Sequence, residues 1–191
     1  MSGQHDQPGA NTELSMRAID EPVTLIAHRR EWATLAVNEI ARVRTAVGVP
    51  DTDVEHIGST AVEGLVAKPT IDLILALDNY PAPTLSLPLQ SLGYEDLGEA
   101  GVPGRTYFRR RGRQDFNLHV VARHSAHWTN SLALRTYLRQ STAARQRYAQ
   151  AKHQALASGA VRLLAYSDAK SSVVIQLLEE ALNWQGGIHT R

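Results

Sequence analysis

The stretch VEHIGSTAVEGLVAKPTIDLILAL, residues 54–77, decides the fold of this chain. Its second half, residues 70–77, is a nearly continuous apolar run that lies between Pro69 and Asp78. A short apolar run between such breakers predicts a buried β-strand. Asp72 interrupts the run, and a buried carboxylate is costly unless it is paired or bound to a metal ion. The strand that the sequence predicts most clearly therefore carries an acid that requires a partner.

A tight corner lies upstream of this strand, at Gly58, Ser59 and Thr60. Backbone N–H groups in such a corner can cradle a phosphate, so these three residues are candidate phosphate ligands. The alternative is an ordinary turn. Lys68 stands at the boundary between loop and strand, where functional residues often lie. It can neutralise a phosphate or pair with a carboxylate such as Asp72.

The composition of the chain limits its class. Of 191 residues, 43% are hydrophobic and 20% are charged, as in ordinary globular proteins. The net charge of +1 provides no overall field that would draw the chain to nucleic acid or to membranes. The absence of cysteine excludes disulfides and thiolate metal sites. Because no apolar run is long enough to span a bilayer and no signal-peptide pattern is present, we expect a cytoplasmic protein.

Hydrophobic periodicity in the rest of the chain predicts a mixture of strands and helices. Residues 1–20 lack a period and predict a mobile tail, whereas residues 21–185 predict a single domain. The predicted elements are a short strand or extended segment at 23–27, a helix at 28–47, a helix at 85–92, a hairpin of strands at 105–110 and 116–121, and helices from residue 125 onward, the last beginning at Ser167 or Asp168. A sheet with helices before and after it is an α+β fold.

The predicted hairpin brings polar side chains to one face. On its second strand Asp115, Asn117 and His119 alternate with apolar residues, so they share a face. On its first strand Arg105 and Arg109 share a face by the same rule. These two arginines could clamp a phosphate or a carboxylate, or they could belong to a solvated turn.

Two histidines on predicted strands, His56 and His119, suggest a metal site together with Asp72. Two imidazoles and one carboxylate would suit Zn²⁺ or Fe²⁺ as well as Mg²⁺. His119 could instead act as a general base. The plainer alternative is that each histidine is a core or edge residue with its hydrogen bonds satisfied.

The central stretch resembles the hallmark of the GrpB family, E-H-I-G-S-T-x-V-x-G-L-x-A-K-P-x-I-D followed by hydrophobic residues. Residues 55–73 carry the match, and weaker matches extend it from about residue 21 to about residue 182. Two of the weaker matches are Y-x-x-x-K pairs near the carboxyl end: Tyr148 with Lys152, and Tyr166 with Lys170.

This resemblance implies a nucleotidyltransferase-like fold, with a mixed β-sheet flanked by helices and a C-terminal helical segment. In that superfamily a Gly-Ser corner holds triphosphate oxygens, and acids on the next strand hold one or two Mg²⁺ ions. Gly58, Ser59 and Asp72 match those positions. The chain departs from the pattern at Ile74, where active transferases usually carry a second acid on the same strand face.

The favoured hypothesis is therefore a metal-dependent nucleotidyltransferase-like enzyme that acts on a nucleotide, such as an NTP, and a small-molecule acceptor. The expected residues are Asp72, Lys68 and His119 for catalysis; Gly58, Ser59, Thr60, Arg105 and Arg109 for phosphate or nucleotide binding; and Asp72, His56, His119 and Asp115 for a divalent ion, with Mg²⁺ expected ahead of Zn²⁺ or Fe²⁺.

Two alternatives remain open. Ile74 favours a non-catalytic module that binds a nucleotide or another phosphorylated metabolite. A His/Asp/His site would instead favour a metal-dependent ligase or hydrolase. Neither a membrane nor a nucleic acid is an expected partner, because the net charge is only +1.

Overall fold

Two parallel strands lie at the centre of the structure, a computed structural model that describes residues 19–48 and 53–188. The strands of its mixed sheet are β1 (Asp53–Ile57), β2 (Thr70–Leu77), β3 (Glu95–Asp96), β4 (Arg105–Arg110) and β5 (Asp115–Ala122). They are arranged in the order β1-β2-β5-β4-β3, with β2 and β5 parallel and the other neighbours antiparallel. This sheet confirms the predicted strand at residues 70–77 and the predicted β4–β5 hairpin.

Helices precede and follow the sheet, as an α+β fold requires. They are α1 (Glu31–Val47), α2 (Ser86–Ser91), α3 (Ala126–Gln140), α4 (Thr142–Ala157), α5 (Leu163–Ala169) and α6 (Ser171–Ile188), with short 3₁₀ turns at Ser59–Ala61 and Pro83–Leu85. Helix α1 ends at Gly48, whose φ of +67° suits a glycine C-cap. Within the described ranges no helix has both the length and the apolar character that a membrane crossing needs.

One face of the sheet forms the main hydrophobic core. Ile71, Leu73 and Leu75 of β2 pack with Trp32 and Val43 of α1, and all five are fully buried. Burying a side chain of this size contributes roughly 1.5–3 kcal/mol each. The apolar half of β5 joins the same core through Phe116, Leu118 and Val120. The predicted apolar face of the hairpin is thus confirmed.

The opposite face carries the polar half of the same strands. Asp72 is paired in register with Asn117 of β5 and with Ile57 of β1, and Ile74 is paired with His119. Only part of this face is covered by apolar contacts, which Trp128 and Leu132 of α3 supply. The remainder is open to a cavity, so the alternation of the strands separates a packed core from a polar site.

The structure refines the sequence-based prediction in three segments. Of the two forms expected for residues 23–27, a short strand or an extended segment, the structure does not have the strand, since their ladder contact is an isolated bridge between Ile26 and Ala67. The last helix begins at Ser171, and the separate helix α5 precedes it, where a single helix from Ser167 or Asp168 was expected. Ser141 is the N-cap of α4, because its Oγ accepts a hydrogen bond from the Ala144 amide.

The third of these segments is the predicted tail, residues 1–20. Residues 1–18 lie outside the described part of the structure, but the last two residues of the proposed tail are docked on the domain. Ile19 is buried against Leu97 and Tyr107. Asp20 accepts a hydrogen bond from the backbone amide of Leu164, so specific contacts hold this end.

A buried carboxylate ties α1 to the edge of the sheet. Glu39 is 3% exposed and accepts hydrogen bonds from Arg42 Nη1 at 2.8 Å, from Arg110 Nη2 at 2.7 Å and from the Tyr94 hydroxyl at 3.1 Å. Arg110 also lies over the ring of Phe116, 4.6 Å from its centroid. Burial of Glu39 is therefore compensated by two cations and a hydroxyl donor.

We predict that Glu39→Ala destabilises the domain by about 3–5 kcal/mol, because it leaves the guanidinium of Arg110 buried without its carboxylate. Arg42→Ala is the matched control, since Arg42 is 49% exposed, and we expect a loss of about 0–1 kcal/mol. Urea unfolding measures both. Equal losses for the two variants would contradict the assignment of Glu39 as the centre of this network.

Candidate functional site

The corner after β1 is built around a glycine that touches the strand acid. Gly58 has a φ of +69°, which favours glycine, and a Cβ placed on it would lie 2.6 Å from Asp72 Oδ2. Because Ile57 is paired with Asp72 across β1 and β2, the chain leaves β1 directly beside the carboxylate. The turn Ser59–Ala61 follows at once. The predicted corner at Gly58 and the strand acid Asp72 are therefore in direct contact.

A cavity of about 480 Å³ opens next to this corner. Its floor is the polar face of β2, β5 and β4, and its far wall comes from α4 and α5. The polar side chains that line it are those of Ser59, Thr60, Lys68, Thr70, Asp72, Arg105, Tyr107, Asn117, His119, Tyr148, Lys152, Tyr166, Ser167 and Lys170. The described lining contains one carboxylate, that of Asp72.

Asp72 is held in place from β5. Its Oδ1 accepts a hydrogen bond of 2.6 Å from Asn117 Nδ2, and its side chain is 27% exposed. Burial acts to raise the pKa of Asp72, but the neighbouring His119, Lys68 and Asn117 outweigh it, so the pKa lies below its ordinary value. Asp72 is therefore an ionised carboxylate that faces the cavity.

His119 presents an N–H group to the site. Arg105 Nη1 lies 3.0 Å from His119 Nδ1, and because a guanidinium can only donate, Nδ1 must accept this bond. Burial, together with the positive charge of Arg105, lowers the pKa of His119 and favours the neutral ring. The proton then resides on Nε2, which lies 4.0 Å from Asp72 Oδ1. In this form His119 offers neither a metal-binding lone pair nor a general base to the cavity.

Lys152 of α4 reaches the corner from the opposite wall. It is 2% exposed, and its Nζ donates hydrogen bonds of 2.6 Å to Ser59 Oγ and to the carbonyl of Val66. The ring of Tyr148 lies 4.4 Å from the same Nζ. Burial, reinforced by the nearby Lys170 and Lys68, lowers the pKa of Lys152 from its ordinary value of 10.5 to about 7. The amine of Lys152, whose positive charge is partly suppressed by burial, is thus held directly on the predicted phosphate corner.

Two further lysines border the cavity. Burial lowers the pKa of Lys68, whose side-chain amine has no hydrogen-bond or ion-pair partner among the described residues. Lys170 lies between two aromatic rings, with its Nζ 5.8 Å from the centroid of Tyr148 and 5.4 Å from that of Tyr166. The Y-x-x-x-K spacing accounts for the contact of Tyr166 with Lys170, since residues four apart lie on one helix face, whereas the contact of Tyr148 with Lys170 comes from tertiary packing.

The charges around the cavity are unbalanced. Lys68, Arg105, Lys152 and Lys170 line it, against the single carboxylate of Asp72. Like charges that are partly desolvated repel one another, which is a cost unless an anion enters between them. The arrangement is suited to a ligand with several negative charges and an aromatic or apolar portion.

The structure does not bring together the four residues expected to hold a metal ion. His56 is paired with Leu73, which places it on the core face of the sheet, opposite to Asp72. Asp115 accepts a hydrogen bond from the Gly112 amide in the hairpin turn. Within residues 19–48 and 53–188, no group of three or more His, Asp or Glu side chains is placed to hold a metal ion. The proposed His56–Asp72–His119 set is therefore wrong as a geometric unit.

Two other sequence-predicted positions also differ from expectation. Arg109 lies on the expected face but forms an ion pair of 2.7 Å with Glu95 and does not line the cavity. Ile74, at the position where a second acid was sought, is 1% exposed and packs with Ile57 and Val121. A carboxylate there would be desolvated by these neighbours. The absence of the second acid is thus built into the packing.

The sequence analysis did not place Lys152, Lys170, Tyr148 or Tyr166 in the site. Only the two Y-x-x-x-K spacings marked them, and a lysine on a helix is usually exposed. Their placement depends on how α4 and α5 dock on the sheet. No local pattern in the sequence encodes that docking.

We predict that Gly58→Ala destabilises the protein by about 2–5 kcal/mol, because the new Cβ adds a clash with Asp72 to the cost of a positive φ. Gly64→Ala is the control: its φ is +77° and nothing lies within 4 Å of its Cβ, so we expect a loss of only about 1–2 kcal/mol. Urea unfolding measures both, and similar losses would refute the close contact.

The lowered pKa of Lys152 predicts a pH dependence of stability. Between pH 7 and 10.5 the unfolded chain binds a proton at Lys152 that the folded chain does not, so the contribution of this residue to stability rises with pH. The free energy of unfolding of the native protein should therefore increase relative to that of Lys152→Met from pH 7 to pH 9.5. A difference that stays constant over this range would show that Lys152 titrates normally.

Comparison with solved structures supports the fold. The structure aligns with the crystal structure of conserved protein GrpB from Enterococcus faecalis with a TM-score of 0.76 and 26% identity, over 85% of this chain and 99% of that one. It also aligns with a cytoplasmic RNA terminal U-transferase (TM-score 0.51, 14% identity) over 77% of this chain and 46% of that one. One chain of a GLD-2/RNP-8 complex gives a TM-score of 0.53 at 14% identity, over 88% of this chain and 63% of that one. These two likenesses show a shared nucleotidyltransferase-like fold alone.

Sequence comparison places the chain more narrowly. It is 31% identical over 164 residues to a UPF0157 protein of Halalkalibacterium halodurans, covering 83% of this chain and 82% of that protein. It is 34% identical over 151 residues to a UPF0157 protein of Streptomyces coelicolor, covering 78% and 79% of the two chains. Residues 22–180 match the family described as GrpB protein. The chain therefore belongs to the GrpB family.

Proposed function

We propose that this protein binds a nucleoside triphosphate or a closely similar phosphorylated small molecule in the Asp72 cavity, and that it transfers the nucleotidyl group to a small-molecule acceptor with the help of a divalent ion. The observation that carries the proposal is the convergence of four cationic side chains on one ionised carboxylate beside the Gly58 corner. A cytoplasmic location forms part of the same proposal.

The phosphate end of the ligand would lie on the corner. Ser59 and Thr60 are presented by a 3₁₀ turn whose first N–H groups have no helical partner, which suits an anion. Lys152 already contacts Ser59 Oγ and would bind phosphate oxygens at the same point. Lys68 and Lys170 would neutralise the remaining charge, since both line the cavity. The chain thereby supplies charge stabilisation for a leaving pyrophosphate.

The nucleoside end would lie toward the tyrosines. Tyr148 and Tyr166 line the cavity on its helical side, where their rings flank Lys170. Any nucleobase can stack on an aromatic ring, so stacking does not select one base over another. This side of the cavity can therefore accept a base, while hydrogen bonds at its edge would decide which base is preferred.

A divalent ion fits this cavity only if the ligand supplies part of its coordination. Asp72 is the one carboxylate of the described lining, and it lies beside the corner where phosphate would bind. The carboxylate of Asp72 and a phosphate bound at the corner would repel each other unless a cation lies between them. Mg²⁺ is commonly held by one or two carboxylates together with substrate phosphates, which matches Asp72 with a triphosphate. When bound, such an ion would polarise the phosphate that is attacked.

The protein's own groups define the rest of the reaction. Asn117 fixes the carboxylate of Asp72 through its 2.6 Å hydrogen bond. His119, with its proton on Nε2, would donate a hydrogen bond toward Asp72 or a ligand oxygen rather than accept a proton. The hydrogen bond that Arg105 Nη1 donates to His119 Nδ1 fixes that tautomer. The acceptor's proton would therefore pass to Asp72 or to solvent.

A second candidate function is ligand binding without catalysis. Ile74 supports it, because its burial among apolar side chains leaves the strand with one acid. The ligase or hydrolase alternative that used His56 is not carried forward, since His56 lies on the other face of the sheet.

Titration calorimetry with ATP, CTP, GTP and UTP, with and without Mg²⁺, tests the proposal. We expect at least one nucleotide to bind the native protein in a Mg²⁺-dependent manner. Lys152→Met should weaken that binding about 10- to 100-fold, because it removes a charge-assisted hydrogen bond. Asp72→Asn should make binding independent of Mg²⁺, since the repulsion and the metal ligand are both removed.

Arg147→Gln is the matched control. Arg147 precedes Tyr148 on α4 but forms an ion pair of 2.7 Å with Glu180 away from the cavity, so its removal should leave affinity unchanged. Mg²⁺-independent binding to the native protein would favour the non-catalytic module. If no nucleotide binds, or if Lys152→Met binds as the native protein does, the site is wrongly assigned.

A further inference from the structure

A second cavity, of about 720 Å³, lies on the other side of the Gly58 corner. We propose that it is a separate binding site for a small anion of the phosphate type. Its lining residues are His28, Arg30, Ala33, His56, Thr60, Ala61, Glu63, Arg139 and Arg145. Thr60 lines both cavities, and every other residue of this lining is absent from the first. The site is distinct from the Asp72 cavity and does not depend on the function proposed for it.

The charge of this lining is strongly positive. Three arginines line the cavity, against one carboxylate among the described lining residues, that of Glu63. Arg30 has no hydrogen-bond or ion-pair partner for its side chain within residues 19–48 and 53–188. The Nη atoms of Arg139 likewise have none there, since the only hydrogen bond of its side chain among the described residues runs from Nε to the Ala61 carbonyl at 2.9 Å. These donors point to an anionic ligand, because guanidinium groups match the geometry of phosphate.

Two of the three arginines, Arg139 and Arg145, have side chains held in position by hydrogen bonds. Arg145 Nη1 donates to the carbonyls of Leu138 and Arg139, both at 2.9 Å, and its Nη2 donates to Thr142 Oγ1 at 2.8 Å. Arg139 is anchored by its Nε on the corner itself. Such anchoring reduces the conformational entropy that a ligand must overcome.

The two imidazoles of the lining agree with this charge. Burial, together with the nearby Arg139, Arg135 and His28, lowers the pKa of His56 to about 4 although Asp72 acts in the opposite direction. The His56 ring is therefore neutral and bonds to Thr60 Oγ1 at 2.9 Å. The positive charge of the lining therefore comes from its arginines.

A small anion fits better than a nucleic-acid backbone. The three arginines line one cavity between the start of α1, α3, α4 and the turn after the corner. The chain as a whole has a net charge of only +1, so a wide basic face of the kind that tracks a phosphate backbone is not expected. The ligand class is therefore a phosphate, a pyrophosphate or a phosphorylated metabolite.

Pyrophosphate, followed by ¹H–¹⁵N NMR, tests this inference on the full chain. Ala33 and Ala61 line only the second cavity, and Ala67 and Ala100 line only the first, so their amide signals report the sites separately. We expect pyrophosphate to shift the Ala33 and Ala61 signals of the native protein. The double variant Arg30→Gln with Arg139→Gln should lose at least about tenfold in affinity at those signals.

Controls separate this site from the first one. In Lys152→Met, pyrophosphate should shift the Ala33 and Ala61 signals as it does in the native protein. In Arg147→Gln, the pyrophosphate response of both pairs of signals should be unchanged. The inference is overturned if Ala33 and Ala61 do not respond to millimolar pyrophosphate, or if they respond equally in the double variant. The inference would also be overturned, in favour of a nucleic-acid ligand, if a single-stranded oligonucleotide shifts the Ala33 and Ala61 signals at a lower phosphate concentration than pyrophosphate does. If only the Ala67 and Ala100 signals fail to respond to pyrophosphate, the result counts against the Asp72 cavity and not against the second cavity.

Discussion

The close approach of Gly58 to the carboxylate of Asp72 is the constraint on which the rest of the site depends. A side chain at position 58 would occupy the space of Asp72 Oδ2, so the corner can turn only where a glycine stands. The antiparallel pairing of Ile57 with Asp72 sets this distance from within the sheet. Backbone pairing, rather than side-chain preference, therefore decides where a phosphate and a strand acid would meet.

The helical part supplies two further basic side chains to the site. The sheet face presents an ionised acid, an amide, a neutral imidazole and the guanidinium of Arg105, whereas α4 and the residue that follows α5 contribute Lys152 and Lys170. Apolar contacts of Val62 and Leu65 with Leu138 and Leu177 dock the helical part on the loop after the corner. That packing holds a lysine in a place where its charge is partly suppressed, and an anionic ligand would restore it.

The sequence was sufficient for the elements that follow a simple period. The run at residues 70–77, the β4–β5 hairpin and the separation of Asn117 and His119 from the apolar face all follow from period-two alternation. The side of His56 could not be predicted in the same way, because it depends on the register between β1 and β2. Lys152 and Lys170 were missed as site residues since only the docking of distant helices brings them to the corner.

The contacts of the Asp72 cavity are also distant along the chain. The hydrogen bond between Asn117 and Asp72 joins residues 45 positions apart, and that between Lys152 and Ser59 joins residues 93 positions apart. Contacts of such separation form late, because the intervening chain must first lose its freedom. No short fragment of this chain can contain the cavity, and a molecule that binds there binds only the folded domain. Ligand occupancy would consequently raise the free energy of unfolding of the whole domain and protect it from proteolysis.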